Sequence, residues 1–574
     1  MMQVNYAGYP SIDKPWLKYY SEEAINAKLS ECTLYGYLWE NNKDHLEDIA
    51  LNYFGGKMTY GEMFKNIDLV ARAFAAQGVK AGDVVTIASL SCIPSVLCFY
   101  ALNKIGAIPN YTNFLASESE LKKYFAIAQP EFLVALDLFA EKVCNAAMDT
   151  GVKKIIIYSL TEWMPEAVRE SLCLKESQDN REVIFGEGTI FWKEFLHSAD
   201  LIQQIRTCYK DVDSAALLAH TGGTTGFPKC VQLSDRAINA VACQYSLCMR
   251  HERQEVFLNI IVPGPVYGIS VCLHMPLCLG LEVVLIPKFE AADWSEYIRK
   301  YQPAHIAGIP YYFSPMLDDP KLDKMDLSCL KTLAVGGDGL NESLERKLND
   351  FLIKHNAMTE ITKGYGMSEV GATAATTYEG INKIGSVGIP MVKNNVKIYN
   401  IEKDTECTYG EEGEICLCCE SVMIGYKDNQ MENDNLIRVH KDGGKWVHTG
   451  DLGFMDEDGF LFLVGRMKRI IFLGPKGLQC KAFPKMIEEV IEKTEEVKEC
   501  CVVSRENAER AEAKAYVVLH KEYKGTEKCA EEKICKICER ELTDYMRPVY
   551  YEFLDALPLT AAGKVDYKAL EKQI

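Results

Sequence analysis

The segment HTGGTTGFPK, residues 220–229, contains three glycines, three threonines and one lysine in ten positions. An apolar run, DSAALLAH (213–220), precedes it and predicts a strand that ends at His220. Glycines allow backbone N–H groups to approach an anion, threonine hydroxyls donate hydrogen bonds or contact Mg²⁺, and Lys229 adds a positive charge. The segment therefore predicts a triphosphate-binding loop at the end of a strand.

The spacing of this loop excludes the common P-loop motif. That motif is GxxxxGK[ST], in which lysine directly follows glycine. Here Phe227 and Pro228 stand between the last glycine and Lys229, and Cys230 follows the lysine. The segment by itself is also compatible with a flexible turn that binds nothing.

Short apolar runs alternate with helical patterns on both sides of this loop. Examples are VVTIASL (84–90), SVLCFYALNKIGA (95–107), EFLVALD (131–137) and KKIIIYSL (153–160). This alternation predicts an α/β fold whose large N-terminal domain, residues 1–466, has layered, mostly parallel sheets and helices. Many turn residues between short strands at 405–464 indicate a β-rich subdomain. Residues 467–574 are long enough for a small, mobile α+β C-terminal domain, with a hinge at Lys468.

Composition restricts the possible partners. The chain has 574 residues, 48% of them hydrophobic, and a net charge of −18 from 63 basic and 81 acidic side chains. A negative surface repels nucleic acid and anionic membranes, so we expect neither as a partner. The apolar stretch at 256–287 is interrupted by three prolines and several glycines, which predicts buried strands and a helix instead of a transmembrane segment.

The cysteines favour a reducing compartment. There are 22, scattered along the chain, and no secretion signal follows Met1, so we expect a cytoplasmic protein with reduced thiols. Cys535 and Cys538 have the spacing of metal ligands, but no second pair or group of histidines accompanies them. Thiols on a charged helix are the favoured interpretation, ahead of a zinc or redox site.

Four further motifs follow the glycine-rich loop: GYGMSE (364–369), HTGDLG (448–453), GRMKRII (465–471) and LPLTAAGKVDY (557–567). With TGGTTGFPK, they form an ordered set of five that resembles the adenylate-forming, or AMP-binding, superfamily, and most of all its acyl-CoA synthetases. The resemblance extends over nearly the whole chain.

The resemblance implies an acid–thiol ligase that uses ATP, Mg²⁺ and CoA. A fatty or aryl acid would be activated to acyl-AMP with release of pyrophosphate, and the acyl group would then pass to the thiol of CoA. Two alternatives stay open: transfer to a carrier-protein phosphopantetheine or an amine, and a catalytically silent nucleotide-binding protein.

The resemblance also implies roles for individual residues. The β- and γ-phosphates would be held by Thr221, Gly222, Gly223, Thr224, Thr225, Gly226 and Lys229. Mg²⁺ would be bound by Thr225 and Glu369. The rest of the nucleotide would contact Tyr365 (adenine), Gly366, Ser368 (α-phosphate), Asp451 (both ribose hydroxyls), Arg466 and, as a weaker candidate, Asp338. Lys564 would bridge the acid and the α-phosphate, so Lys564, Glu369 and Lys229 are the predicted catalytic residues.

Four departures from the family pattern affect these expectations. Cys230 replaces a glycine and is expected to stiffen the end of the loop, while Pro265 replaces a gating aromatic residue. Tyr267 stands where amino-acid-activating relatives place an aspartate, which disfavours an amino acid substrate. The segment 472–489 is longer than usual and lacks a lysine near Phe472, so the sequence supports adenylation better than the thioester step.

Overall fold

A computed structural model describes residues 7–113, 116–148, 150–170, 188–221, 228–378, 380–476, 480–506, 510–560 and 564–573. The chain forms two large sheets and a smaller antiparallel sheet, and a fourth sheet lies near the C-terminus. The predicted α/β fold, with a large N-terminal and a smaller C-terminal domain, is confirmed. The boundary after residue 466 stays a prediction.

The first large sheet has eight strands, parallel except at one end. In spatial order they are Gly425–Tyr426, Lys229–Ser234, Ala215–Thr221, Ile108–Tyr111, Val84–Ala88, Phe132–Leu136, Lys154–Tyr158 and Thr189–Phe191. The last strand before the glycine-rich loop therefore ends at Thr221, one residue later than predicted.

The second large sheet has nine strands with a parallel centre. In spatial order they are Ile389–Pro390, Ala375–Thr376, Ile361–Tyr365, Thr332–Val335, His305–Gly308, Val256–Asn259, Glu282–Leu285, Ile49–Tyr53 and Gly56–Thr59. Most strands of both sheets are near-continuous apolar runs, as expected for parallel strands covered on both faces.

The third sheet is the predicted β-rich subdomain, and its strand pairs are antiparallel. Its strands are Asn395–Asn400, Thr405–Glu406, Gly413–Cys418, Ile437–Val439, Lys445–Met455 and Leu461–Arg466. It begins about ten residues before the predicted start at 405, because the strand Asn395–Asn400 lies between the strands Thr405–Glu406 and Gly413–Cys418. The strand Gly425–Tyr426, within the predicted limits, instead joins the first large sheet.

The fourth sheet forms the C-terminal domain. Its strands are Ile471–Pro475, Cys480–Ala482, Val497–Glu506, Arg510–Leu519 and Tyr550–Phe553. The helices Pro484–Ile491 and Glu527–Glu541 pack against it through a separate apolar core, as the α+β pattern predicts. Cys535 and Cys538 lie on the second of these helices beside Tyr551.

Helices fill the space around and between the two large sheets. The longer ones are Leu34–Asn42, Tyr60–Ala76, Ile93–Ile105, Glu118–Ala128, Ala140–Ala147, Asp235–Cys248, Trp294–Tyr301 and Glu342–Lys354. The helix Ile93–Ile105 is buried on all sides and ends at Gly106, whose φ of 81° favours glycine. A single core cluster includes this helix and residues of both sheets, so the sheets form one body.

The long apolar stretch is also accounted for. Residues 256–287 form the strand Val256–Asn259, a helical run over 266–278 and the strand Glu282–Leu285, nearly all buried. Buried strands and a helix were the prediction, and it is confirmed. Within the described ranges, a helix with the length and apolar character needed to cross a bilayer was not found.

Candidate active site

A cleft of about 2370 Å³ lies where the two large sheets, the β-rich sheet and the C-terminal domain meet. It is lined by predicted residues from separate parts of the chain: Thr221, Lys229, Asp338, Gly366, Ser368, Glu369, Arg466 and Lys564. Parallel strands place ligands at their carboxyl ends, and the strands that end at Thr221, Val335 and Tyr365 all end here. Gly222, Gly223, Thr224, Thr225 and Gly226 lie outside the described residues.

Lys229 is held at one side of the cleft by two groups. Thr221 and Lys229 are opposite each other in an antiparallel pair, so the glycine-rich segment connects adjacent strands. The Lys229 ammonium lies 2.5 Å from Glu432 Oε2 and 4.7 Å from the ring centre of Tyr426. A triphosphate would compete with Glu432 for this ammonium group.

Glu369 stands on a short helical turn after the strand Ile361–Tyr365. Its side chain is buried, and Tyr426 donates a hydrogen bond of 2.6 Å to Glu369 Oε1. The turn requires Gly366, since a Cβ there would lie 1.9 Å from the carbonyl oxygen of Ala372. The strand, the turn and Tyr426 thus fix a carboxylate at the cleft wall, which is the kind of ligand that Mg²⁺ uses.

Asp451 is buried in the strand Lys445–Met455, and two groups hold its carboxylate. Tyr365 donates a hydrogen bond of 2.9 Å to Oδ2, and Arg466 Nε lies 3.0 Å from Oδ1. Burial raises the pKa of Asp451, and the positive charge of Arg466 opposes that rise. The Tyr365 ring is only 7% exposed, and its adenine-stacking role stays a prediction.

Lys564 reaches this cleft from the C-terminal domain. Its electrostatic partners are Asp338, Arg466, Asp451 and Glu369, so the structure brings five predicted residues together. Removal of water by the cleft walls lowers the pKa of Lys564, while the three carboxylates oppose that change. The N–H of Thr560 donates a hydrogen bond of 2.7 Å to the backbone carbonyl of Lys564.

The remaining predicted positions fall at the edges of the site. Asp338 is exposed after Gly337, whose φ is 78°, and accepts a hydrogen bond from the N–H of Gly339. Lys468 lies in the helical turn Met467–Arg469 that connects the β-rich sheet to the C-terminal domain. The hinge role of Lys468 stays a prediction.

The structure locates the departures from the family pattern, of which Pro265 lines the cleft. Cys230 is buried in the strand Lys229–Ser234 against Ala128 and Leu218, so it is part of the sheet. Tyr267 lies in the cleft wall, with its ring 3.2 Å from the position of a Cβ on Gly336. Phe472 is 55% exposed on the strand Ile471–Pro475, and residues 477–479 lie outside the described residues.

Two residues beside the site were missed in the sequence. Tyr426 and Glu432 contact Glu369 and Lys229, although they belong to no recognised motif. Tyr426 and Glu432 come close to the site because the strand Gly425–Tyr426 pairs with the strand Lys229–Ser234 at one end of the first large sheet. A two-residue strand has no periodicity, so the sequence contains no local signal for this pairing.

Two family models match the chain. One, described as AMP-binding enzyme, matches residues 38–427, and the other, described as AMP-binding enzyme C-terminal domain, matches residues 486–564. The chain belongs to the AMP-binding enzymes. The resemblance stated from the five motifs is therefore confirmed.

Similar proteins share this family. This AMP-binding enzyme is 29% identical over 563 residues to a long-chain-fatty-acid–CoA ligase of Bacillus subtilis, which covers 96% of each chain. It is 27% identical over 526 residues to a probable 4-coumarate–CoA ligase of Dictyostelium discoideum, which covers 88% of each. A solved benzoate CoA ligase from Burkholderia xenovorans superposes with a TM-score of 0.78 at 19% identity, covering 94% of this chain and 99% of that one, which shows a common fold.

Proposed function

We propose that this enzyme activates a carboxylic acid with ATP and transfers the acyl group to the thiol of CoA. In the first step a carboxylate oxygen attacks the α-phosphorus, the bond to the β-phosphate oxygen breaks, and pyrophosphate leaves. In the second step the thiol sulfur, having lost its proton, attacks the acyl carbon and AMP leaves. Relatives named as fatty-acid and 4-coumarate CoA ligases support this assignment.

The observation that carries the proposal is the position of Lys564. Its ammonium group interacts electrostatically with Glu369, Asp451 and Arg466, although it belongs to a separate domain. Negative charge accumulates on the α-phosphate as the carboxylate attacks, and a positioned cation stabilises that charge. We assign Lys564 to the acid and the α-phosphate, and Lys229 to the β- and γ-phosphates.

The other predicted residues bind and orient the nucleotide. Asp451 offers carboxylate oxygens to the ribose hydroxyls, and the positive charge of Arg466 favours the ionised form of that carboxylate. Ser368 and the backbone near Gly366 line the region of the α-phosphate. Glu369 fits a Mg²⁺ ion because its carboxylate is fixed at the wall, and the ion would neutralise part of the triphosphate charge when bound.

The acid is expected to be apolar. Tyr267 lies in the cleft wall with Val271 and Met275, and burial raises the pKa of Tyr267, so its hydroxyl is neutral. A neutral phenol does not pair with the α-ammonium of an amino acid. We therefore propose a fatty or aryl acid as the substrate, and CoA as the acyl acceptor.

We also propose that the enzyme acts in the cytoplasm. Every cysteine in the described residues is unpaired, as in proteins of reducing compartments. That environment also supplies ATP and CoA.

Substrate-dependent exchange of pyrophosphate into ATP tests the proposal. Medium- and long-chain fatty acids, coumarate and benzoate are compared with a panel of amino acids and with a sample lacking acid. We expect exchange with at least one fatty or aryl acid and a CoA ester when CoA is added. Exchange without a CoA ester would favour a carrier-protein or amine acceptor, and no exchange with any acid would favour a silent nucleotide-binding protein.

A further inference from the structure

Three side chains that commonly bind transition metals meet in the β-rich sheet. They are Cys416, His440 and His448, and one ligand atom from each lies within 4.8 Å of the others. Cys416 and His448 are buried on adjacent strands, while His440 is partly exposed at the turn before the strand Lys445–Met455. The proposed catalytic steps use none of the three.

The contacts of His448 match those of a metal-bound histidine. Its Nδ1 lies 2.5 Å from Glu414 Oε2, so Nδ1–H donates to this carboxylate. Metal-ligating histidines commonly donate their other ring N–H to a carboxylate in this way. Glu414 is itself fixed, because its Oε1 accepts a hydrogen bond of 2.9 Å from the N–H of Gly450.

The second ring nitrogen of His448, Nε2, faces His440. The two Nε2 atoms are 2.8 Å apart, and Nδ1 of His440 is buried without a hydrogen-bond partner in the described part of the chain. The Cys416 Sγ atom lies 3.6 Å from Nδ1 of His448. Tetrahedral zinc with Zn–N of about 2.0–2.1 Å separates two nitrogen ligands by roughly 3.3 Å. A shift of about half an ångström at His440, which is in a turn, would accommodate the ion.

We propose that Cys416, His440 and His448 form a Zn²⁺ site that is distinct from the Mg²⁺ position at Glu369. Sulfur and imidazole ligands select zinc or a similar transition metal over Mg²⁺, which prefers oxygen. Among the described residues this group contains three possible ligands, so a water molecule would complete the coordination.

The site would stabilise the strand that carries Asp451. The ion connects the turn at His440 to the strand Gly413–Cys418 and to His448, which is three residues before Asp451. Glu414 extends this connection, since it contacts both His448 and Gly450. Zinc thus restrains the wall of the cleft near the ribose position.

Metal binding by the full-length protein tests this proposal without reference to turnover. Protein treated with EDTA under reducing conditions is titrated calorimetrically with ZnCl₂, and Co²⁺ is used as a spectroscopic probe. Other thiols of the chain also bind zinc, but weakly. The test therefore compares the zinc affinity and stoichiometry of each variant with those of the parent. We expect His440→Gln to lose one tight equivalent or to bind it at least 100-fold more weakly, and Glu414→Gln to weaken it about 10- to 100-fold.

Cysteine variants identify the sulfur ligand. The Co²⁺ complex of the parent protein is expected to show a thiolate-to-cobalt charge-transfer band that Cys416→Ser removes. Cys418→Ser, two positions along the same strand, is the matched control and should retain the band. Equal zinc stoichiometry and affinity in the parent and His440→Gln, or a band unaffected by Cys416→Ser, would overturn the proposal.

Discussion

At the scale of single residues, the Asp451 carboxylate is held in a buried position by two polar groups. Tyr365 and Arg466 occupy both carboxylate oxygens, and the Arg466 charge opposes the effect of burial on the pKa. A nucleotide ribose can therefore meet a fixed acceptor.

Replacement of Asp451 by alanine is expected to weaken ATP binding about 10- to 100-fold, since a hydrogen bond to a charged group contributes about 1.5–3 kcal/mol. Calorimetry with a nonhydrolysable ATP analogue measures the change. Asp458→Asn, a surface carboxylate in the same sheet region, is the control and should bind normally. Unchanged affinity in Asp451→Ala would remove the ribose role.

At the ion pair of Lys229 and Glu432, we expect a substitution that strengthens ATP binding. Glu432 forms an ion pair with the Lys229 ammonium group, which we assign to the triphosphate, so ATP must displace the Glu432 carboxylate. Glu432→Gln should tighten binding of the ATP analogue by about 3- to 10-fold, because a charge repelling the phosphates is lost. The gain should disappear in the Lys229→Met background. Weaker binding in Glu432→Gln would show that Glu432 helps to hold the nucleotide.

At the scale of elements, a buried ion pair joins the strand Ile361–Tyr365 to the helix Glu342–Lys354. Lys363 and Glu345 have side chains 5% and 0% exposed and are 2.5 Å apart. Glu345 also accepts a hydrogen bond from the N–H of Gly385, so this contact supports the strand that leads to Glu369.

Removal of one partner should be strongly destabilising, because the other charge is left buried. Glu345→Gln is expected to lower the free energy of unfolding by about 3–5 kcal/mol. The control is Lys354→Gln, which breaks the exposed pair with Asp323 and should cost less than about 1 kcal/mol. Denaturant unfolding measures both. Similar small losses in the two variants would contradict the structural role of the buried pair.

Elements also show how far the sequence predicts this molecule. Runs such as VVTIASL and EFLVALD correctly predicted strands. Parallel strands that are covered on both faces are apolar along their whole length, so a short apolar run indicates such a strand. The pairing of Gly425–Tyr426, and with it Tyr426 beside Glu369, was not predictable. Likewise, Lys363 and Glu345 are 18 positions apart on different elements, and only the packing of helix on sheet brings them together.

At the scale of the whole molecule, the two domains meet at Glu492. Asn341, at the start of the helix Glu342–Lys354, donates a hydrogen bond of 2.6 Å to Glu492 Oε2. Burial, and then the charge of Glu488, raise the pKa of Glu492 from its usual value of 4.5 to about 8. Glu489 adds a further negative charge to this contact.

The contact should weaken with rising pH. At pH values between 4.5 and about 8, Glu492 in the contact with Asn341 holds a proton that an exposed Glu492 would release. The contact between the domains therefore loses stability as the pH rises through this interval. Small-angle X-ray scattering should show a larger radius of gyration at pH 8.5 than at pH 6 in the parent and in the control Glu495→Gln, but no such change in Glu492→Gln. An unchanged pH response in Glu492→Gln would contradict this assignment.

Delivery of Lys564 to the nucleotide by a separate domain is the central claim, and the two half-reactions of Lys564→Ala test it most directly. Acyl-adenylate formation should fall about 10²- to 10³-fold, because the charge developing at the α-phosphate loses its cation. Thioester formation from isolated acyl-AMP should stay within a few-fold of the parent, as should both steps in the control Lys521→Ala. Comparable losses in the two half-reactions of Lys564→Ala would contradict the account.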